Sequence, residues 1–409
     1  MASDTSKFLI AEAQLLLDDA RRKKSERIKT LGSPIQLSGK ALAIQVRGNY
    51  AWIAENTAVA RKLDLETGKT TQLYKGHTGP VTALAFCDKV LGSGDEKILI
   101  TGSWDQTIKL WDTDTKQLLS STSEAHGDFV KCLFVLTSLK LLISSGSDKI
   151  VRFWDLSTPQ QSEPLRSMGS ISSHTRPVEC LDGEATSSVS GVLYTADTMG
   201  VIKSWLLSKE DGLSPRWRVV IQEDLMHHRT RINEMIYGNG YLWTASSDET
   251  VQIVHRDPEV PVPKKPAPPI HHPLPVRSML PLSLTELGEP YLITGAGDLL
   301  RVYDLSTPEE PEFIRDLDAH WHDITAIRLW KRKTLVDDGK TRIEPWIITT
   351  SLDSTIRKWR LAELLVAAPI SQAEPQSSGK IPLDPTEEEG RFQVTEEEER
   401  ELAELMDSD

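Results

Sequence analysis

The sequence is poor in residues that staple or coordinate. Its three cysteines, Cys87, Cys132 and Cys180, are odd in number and far apart, so neither a disulfide framework nor a zinc knuckle is indicated. No apolar run approaches the ~20 residues of a membrane span, and no signal-peptide pattern opens the chain. A cytoplasmic or nuclear protein without membrane insertion is expected. No phosphate-binding Gly/Lys loop, HExxH helix or nucleophile elbow occurs, which argues against an enzyme and implies no cofactor and no metal. A basic excess is missing too. The formal charge is −13, but twelve acids against two arginines from Asp384 to Asp409 leave the preceding 383 residues nearly neutral. No general field for nucleic acid exists, so it is not expected as a direct ligand.

What is present is a repeat. LITGSWDQTIKLWD at Leu99–Asp112 recurs as LISSGSDKIVRFWD at Leu142–Asp155 and IITTSLDSTIRKWR at Ile347–Arg360. Each places an Asp six residues before a Trp: Asp105/Trp111, Asp148/Trp154 and Asp353/Trp359. Weaker copies end at Trp205, Val254 and Tyr303. A histidine precedes each copy: His77, His126, His174, His228, His272 and His320, at successive spacings of 49, 48, 54, 44 and 48. A branched–any–small–aliphatic tetrapeptide follows: VTAL at Val81, VKCL at Val130, VECL at Val178, VRSM at Val276 and ITAI at Ile324. LAI at Leu42 starts an additional first unit, and Ile232–Met235 breaks the rule with Glu234 at the small position. A hydroxyl lies four residues before each turn position: Thr101, Ser144, Thr195, Thr244, Thr294 and Thr349.

Repeats of this length are the mark of stacked supersecondary units. The landmarks resemble those of the WD-repeat family, related to the β-subunit of heterotrimeric G proteins, over about Ala41 to Glu363. The resemblance implies an all-β fold: a seven-bladed β-propeller with an N-terminal α-helix and an acidic, largely disordered C-terminal tail. Small side chains (Ala83, Cys132, Cys180, Ser278, Ala326) fit where innermost strands converge, so the cysteines read as inert core residues. His, hydroxyl, Asp and Trp can join in one buried chain per blade, which stabilises only if every member is satisfied. Met199 at the turn position of the fourth blade, Val254 for Trp in the fifth and a turn one residue shorter in the sixth predict incomplete chains there.

Three parts follow: 1–27 as a helix and basic segment, 28–363 as the propeller and 364–409 as the tail. Closing an open last blade calls for a borrowed strand, either 28–37 or 367–372. Ser6 to Lys24 reads as a helix whose broad apolar stripe, with Leu9, Leu16 and Leu17, needs cover from the propeller or a partner. RRKK at Arg21–Lys24 is either an import signal or a solvated helix end. Nine prolines between Pro258 and Pro281 make a surface loop or a polyproline ligand. In the tail, Thr395 and Glu398 form a capping box for a short helix, 395–406. Leu402, Leu405 and Met406 lie on one side of it as a candidate docking face.

Loops on one rim of such a ring are the natural interaction surface. Trp104, Phe129, Arg176, Arg229, Arg231, Trp321 and His322 fall there, a hydrophobic and cationic set suited to partners with acidic and aliphatic groups. Glu234 adds a carboxylate near the channel, unless a register slip accounts for it. The role expected is a non-enzymatic scaffold or adaptor in a multiprotein assembly (RNA or ribosome processing, chromatin, trafficking or ubiquitin machinery), meeting proteins or peptides through one rim and the terminal tails. The alternative is a substrate receptor of a cullin-type ubiquitin ligase. It is weakened because Thr113-Asp114 and Leu156-Ser157, not an arginine two residues on, follow the two Trp-Asp pairs.

Overall fold

The repeat becomes seven four-stranded antiparallel sheets in a computed structural model, which describes residues 12–90, 92–159, 162–210, 216–256, 267–335 and 341–366. The sheets are the blades of a β-propeller, numbered here 1 to 7 in chain order. Their inner strands are Ala41–Arg47, Val81–Cys87, Val130–Leu136, Val178–Ala185, Ile232–Gly238, Val276–Pro281 and Ile324–Leu335. Burial follows from stacking. Seven apolar clusters each join two consecutive blades, the last pairing Ala326, Trp330 and Ile348 of blade 7 with Ile44, Ile53 and Leu63 of blade 1. Every blade is thus covered on both faces.

All seven inner strands break register immediately after their first residue, at Ala41/Ala43, Val81/Ala83, Val130/Cys132, Val178/Cys180, Ile232/Glu234, Val276/Ser278 and Ile324/Ala326. Such a β-bulge leaves one residue unpaired and re-aims its side chain. Glu234 obeys the same register, opposite Ala245, so no slip has put it at the small position.

The fourth strand of blade 7 is Ile35–Gln36, which lies antiparallel to Thr355–Arg360 with Ile35 opposite Ile356. Closure therefore comes from the N-terminal side; 367–372 lies outside the described residues, as does the tail beyond Val366 with its Leu402, Leu405 and Met406. Buried Arg357 clamps the incoming chain by donating to the Ile28 and Leu31 carbonyls, both at 2.6 Å. Gly32, at φ +65°, crosses so close to Trp359 that a Cβ would meet its ring at 2.7 Å.

The described N-terminal helix is Glu12–Arg27. Over its described part the apolar stripe stays largely open, since Leu15, Leu16 and Leu17 are all exposed. Charge holds the helix instead, since Lys24 reaches Asp298 at 2.8 Å and Asp318 at 2.7 Å, and Arg27 reaches Asp318. The last residue of the basic run is thereby occupied in an intramolecular contact.

Candidate functional site

The landmark histidines are distributed one per sheet in blades 2 to 7, and each meets an aspartate of its own sheet except in blade 6. In blade 2, His77 Nε2 lies 2.7 Å from Thr101 Oγ1, His77 Nδ1 lies 2.9 Å from Asp105 Oδ2, and Trp111 Nε1 donates to Thr101 Oγ1 at 2.9 Å. Blades 3 and 7 repeat this through His126, Ser144, Asp148 and Trp154, and through His320, Thr349, Asp353 and Trp359. The donor order that satisfies every member runs from Trp to hydroxyl to His Nε2, leaving Nδ1–H to donate to the carboxylate. Burial raises the Asp105 carboxyl, but hydrogen bonds from His77, Thr107 and the Thr78 N–H outweigh it and hold the pKa below the usual range. Asp353 is held low by the same balance, and burial lowers His320 despite Asp353 beside it. These triads are internal, and the hydroxyl of each is engaged from both sides.

The irregular blades depart from expectation in one case. Blade 4 is complete, because Asp197, two residues before Met199, takes the carboxylate's place at 3.1 Å from His174 Nδ1, while Trp205 donates to Thr195 at 2.9 Å. Asp197 is the last residue of its strand, so its side chain reaches the His as readily as a turn residue does. Blade 5 keeps His228, Thr244 and Asp248 but has no indole donor at Val254. In blade 6 the two-residue turn between Ala296 and Leu299 carries Asp298 away from the His. There His272 Nδ1 donates to the Ile270 carbonyl at 3.0 Å, and the Tyr303 hydroxyl has no partner among the described residues.

With the landmarks absorbed by the blades, the bulges frame the candidate site. The seven bulged residues, Leu42, Thr82, Lys131, Glu179, Asn233, Arg277 and Thr325, all line a cavity of about 440 Å³ at the mouth of the central channel. Thr82 donates to the Val130 carbonyl at 2.6 Å and Asn233 to that of Val276 at 2.7 Å, so part of the ring also ties blade to blade. One arc of the mouth is apolar, with Leu42, Ala43 and Trp104. The other is charged, with Lys131, Arg231, Arg277 and Arg328 against Glu179 and Glu234. Glu179 meets Arg231 at 2.8 Å and Lys131 at 3.5 Å. Glu234 accepts the Met279 N–H at 2.6 Å and pairs with Arg328 at 2.9 Å, spanning three blades. Asp323 holds Arg277 from the rim at 2.7 Å. Cys132 and Cys180 line the same wall as free thiols, and burial pushes the Cys132 thiol up to about 12.

The rim residues singled out from sequence divide into three groups. Trp104 and Phe129 stack on each other, with ring centroids 4.6 Å apart, and both are exposed; Trp104 and Arg231 line the mouth. Trp321 and His322 line a second cavity, about 370 Å³, between the N-terminal helix (Leu17, Ala20, Arg21, Lys24) and blades 6 and 7. Arg176 and Arg229 are exposed and line neither. The bulge ring itself was missed. Its signal was the unconstrained second position of the tetrapeptide, where side chains vary because they face the channel rather than a neighbouring blade.

A ring of bulged, stacked sheets fastened by Trp, hydroxyl, His and Asp defines a WD-repeat β-propeller, and the chain belongs to that family. The family described as WD domain, G-beta repeat, matches residues 68–112 and 117–155, which fall in blades 1 to 3. Among curated proteins, an uncharacterised WD repeat-containing protein of Schizosaccharomyces pombe is 27% identical over 84% of this chain and 86% of its own. A periodic tryptophan protein 2 homolog of Neurospora crassa is 26% identical over 34% of this chain, and a CCR4-associated factor 4 homolog of Vanderwaltozyma polyspora is 32% identical over 20%. The chain spans only 15% and 12% of those two relatives' lengths. The crystal structure of the computationally designed Ika8 protein shares the fold at 20% identity, with a TM-score of 0.53 over 78% of this chain and 83% of that one. WD-repeat proteins generally act as interaction scaffolds. No described helix is long and apolar enough to cross a membrane.

Proposed function

We propose that the chain is a non-catalytic adaptor that receives an acidic and aliphatic segment of a protein partner at the channel mouth, within a multiprotein assembly of the cytoplasm or nucleus. The observation that carries this is the composition of the bulge ring and its surroundings. Four cations face two carboxylates in the cavity, Asp323 brings a third from outside, and one positive charge remains over. Beside them the Trp104–Phe129 stack offers a flat apolar platform. A partner carboxylate would complete the charged arc while an aliphatic side chain covers the stack, the pairing of anchor and orienting charge found at interface hot spots. Chemistry at the His–Asp pairs is disfavoured by their burial and by the engagement of each hydroxyl within its blade. The acidic segment 364–409 is a second handle in this reading.

Affinity purification with the intact chain, Trp104→Ala and Arg231→Ala/Arg277→Ala tests it. Partner recovery should fall roughly tenfold or more in both variants, as for loss of an interface anchor, with the melting temperature retained. Unchanged recovery from folded variants would overturn the assignment of this surface.

A further inference from the structure

The outer strand of blade 4 differs from the others. Arg216–Leu225 has ten residues, whereas the other outer strands have between two and seven. Among the described residues it pairs only with Ile202–Glu210, leaving its other edge without a ladder. A long edge is normally blunted by shortness, charge, proline or a bulge; this one has no proline within it, its four charged residues stand towards its two ends, and its one bulge lies near Ile221 and Glu223. Its apolar centre is in the open: Val220 is 39% exposed and Ile221 46%. Val220 continues an apolar stripe across the sheet, since Leu206 lies opposite it and Val192 opposite Leu206. The outer strand of the adjacent blade 5 is only Ile270–His271.

The geometry points to this edge as a self-association surface, taking the same strand of a second copy in antiparallel β-pairing. The choice of occupant rests on charge. Arg216 and Arg218 stand at one end, exposed and without an ion pair among the described residues. Glu223 and Asp224 stand at the other, about half exposed although each meets a cation of its own chain, Arg256 and Lys203. A two-fold axis near Val220 lays the arginine end of each copy along the acidic end of the other, and Val220 and Ile221 meet their counterparts between. Parallel pairing would set like charges together. Complementarity of one patch to itself is what an isologous interface requires, and ten residues provide an edge of about 33 Å. The surface is independent of the channel mouth.

Sedimentation of the full chain from about 1 to about 100 µM in low salt tests this. The weight-average mass should climb from 45.7 kDa toward twice that value. Val220→Lys, which opposes two ammonium groups at the axis, should weaken the association at least roughly tenfold. Arg216→Glu/Arg218→Glu should weaken it as well, and salt should weaken the wild type. Amide exchange on the unmodified protein gives a readout that needs no variant: backbone protection along 216–225 should rise with concentration while the inner strands stay constant. A monomer at the highest concentration, a dimer indifferent to Val220→Lys, or concentration-independent exchange at 216–225 would overturn the proposal.

Discussion

Replacing Asp197 should destabilise the ring, whereas replacing Met199, which occupies the turn position of blade 4, should leave it nearly unchanged. Asp197 accepts from His174 Nδ1 at 3.1 Å, from the Met199 N–H at 2.9 Å and from the Val201 N–H at 3.1 Å, and its residue is 2% exposed. Asp197→Ala strands all three donors. A buried donor without an acceptor costs about 1–3 kcal/mol, and the two turn amides can partly rehydrate at the rim, so about 2–4 kcal/mol is expected in total. Met199 is 54% exposed and accepts nothing from the His, so Met199→Ala should stay within about 0.5 kcal/mol. Burial raises the Asp197 carboxyl, but His174 and the two amides hold it below its ordinary value. A carboxyl depressed in the folded state stabilises above its unfolded pKa and loses that contribution as pH falls through the folded value. The difference between wild type and Asp197→Ala should therefore be full at neutral pH and shrink below about pH 4. Thermal melts of both variants at neutral and acidic pH read this directly. Equal destabilisation by Met199→Ala and Asp197→Ala would refute the reassignment of the carboxylate.

Ring closure is tested by Gly32→Val, which adds a Cβ against Trp359 at a left-handed φ, and by Arg357→Leu, which leaves the Ile28 and Leu31 carbonyls unmet. Each should cost about 2–4 kcal/mol, and limited proteolysis should then cut first near residues 28–37; unaltered melting and cleavage would contradict N-terminal closure. Asp182 is raised to about 7 by burial first, with Glu234 adding to it against the N–H groups of Tyr237 and Gly183. A carboxyl raised in the folded state favours the fold at low pH and loses that advantage between its unfolded pKa of about 4 and about 7. Asp182→Asn should therefore gain stability relative to wild type as pH rises through that window, and a pH-independent difference in urea melts would count against it.

The repeat frame was legible because stacking constrains it. Small residues such as Ala83, Cys132 and Ala326 stand where inner strands crowd, and Thr101, Ser144 and Thr349 stand where an indole and an imidazole both need a hydroxyl. Those are demands of packing that recur in every blade. The first blade meets them differently: Ile53 and Leu63 replace the hydroxyl and the indole with apolar packing, and buried Glu55 bonds Arg61 and Thr57 instead. Blade 4 departs from the expectation because position along the turn is a poor proxy for reach: a carboxylate at either end of the hairpin can meet the same Nδ1. The bulge ring was illegible for the opposite reason. Lys131, Glu179, Asn233 and Arg277 have no common chemistry, so a search for recurrence passes over the position that faces the channel. Residue type alone points equally to Trp104, Arg231, Arg176 and Arg229, and of these only Trp104 and Arg231 reach the mouth.

The incomplete chain of blade 6 and the placement of the N-terminal helix have one physical origin. A turn shortened to Gly297 and Asp298 cannot bring its carboxylate back to His272, so the imidazole turns to its own backbone and stays neutral, with burial lowering its pKa to about 4. Asp298 is then left facing outward beside Asp318, two carboxylates near enough to share one ammonium. Lys24 supplies that ammonium, and its side chain is only 16% exposed. A complete chain in blade 6 would have consumed the carboxylate and left Lys24 with Asp318 alone. What blade 6 gives up in internal hydrogen bonding, the ring uses to fix the helix over Trp321 and His322. That explains why the second cavity lies at these blades, and why Leu17 and Ala20 form one of its walls while Leu15 and Leu16 remain turned to solvent.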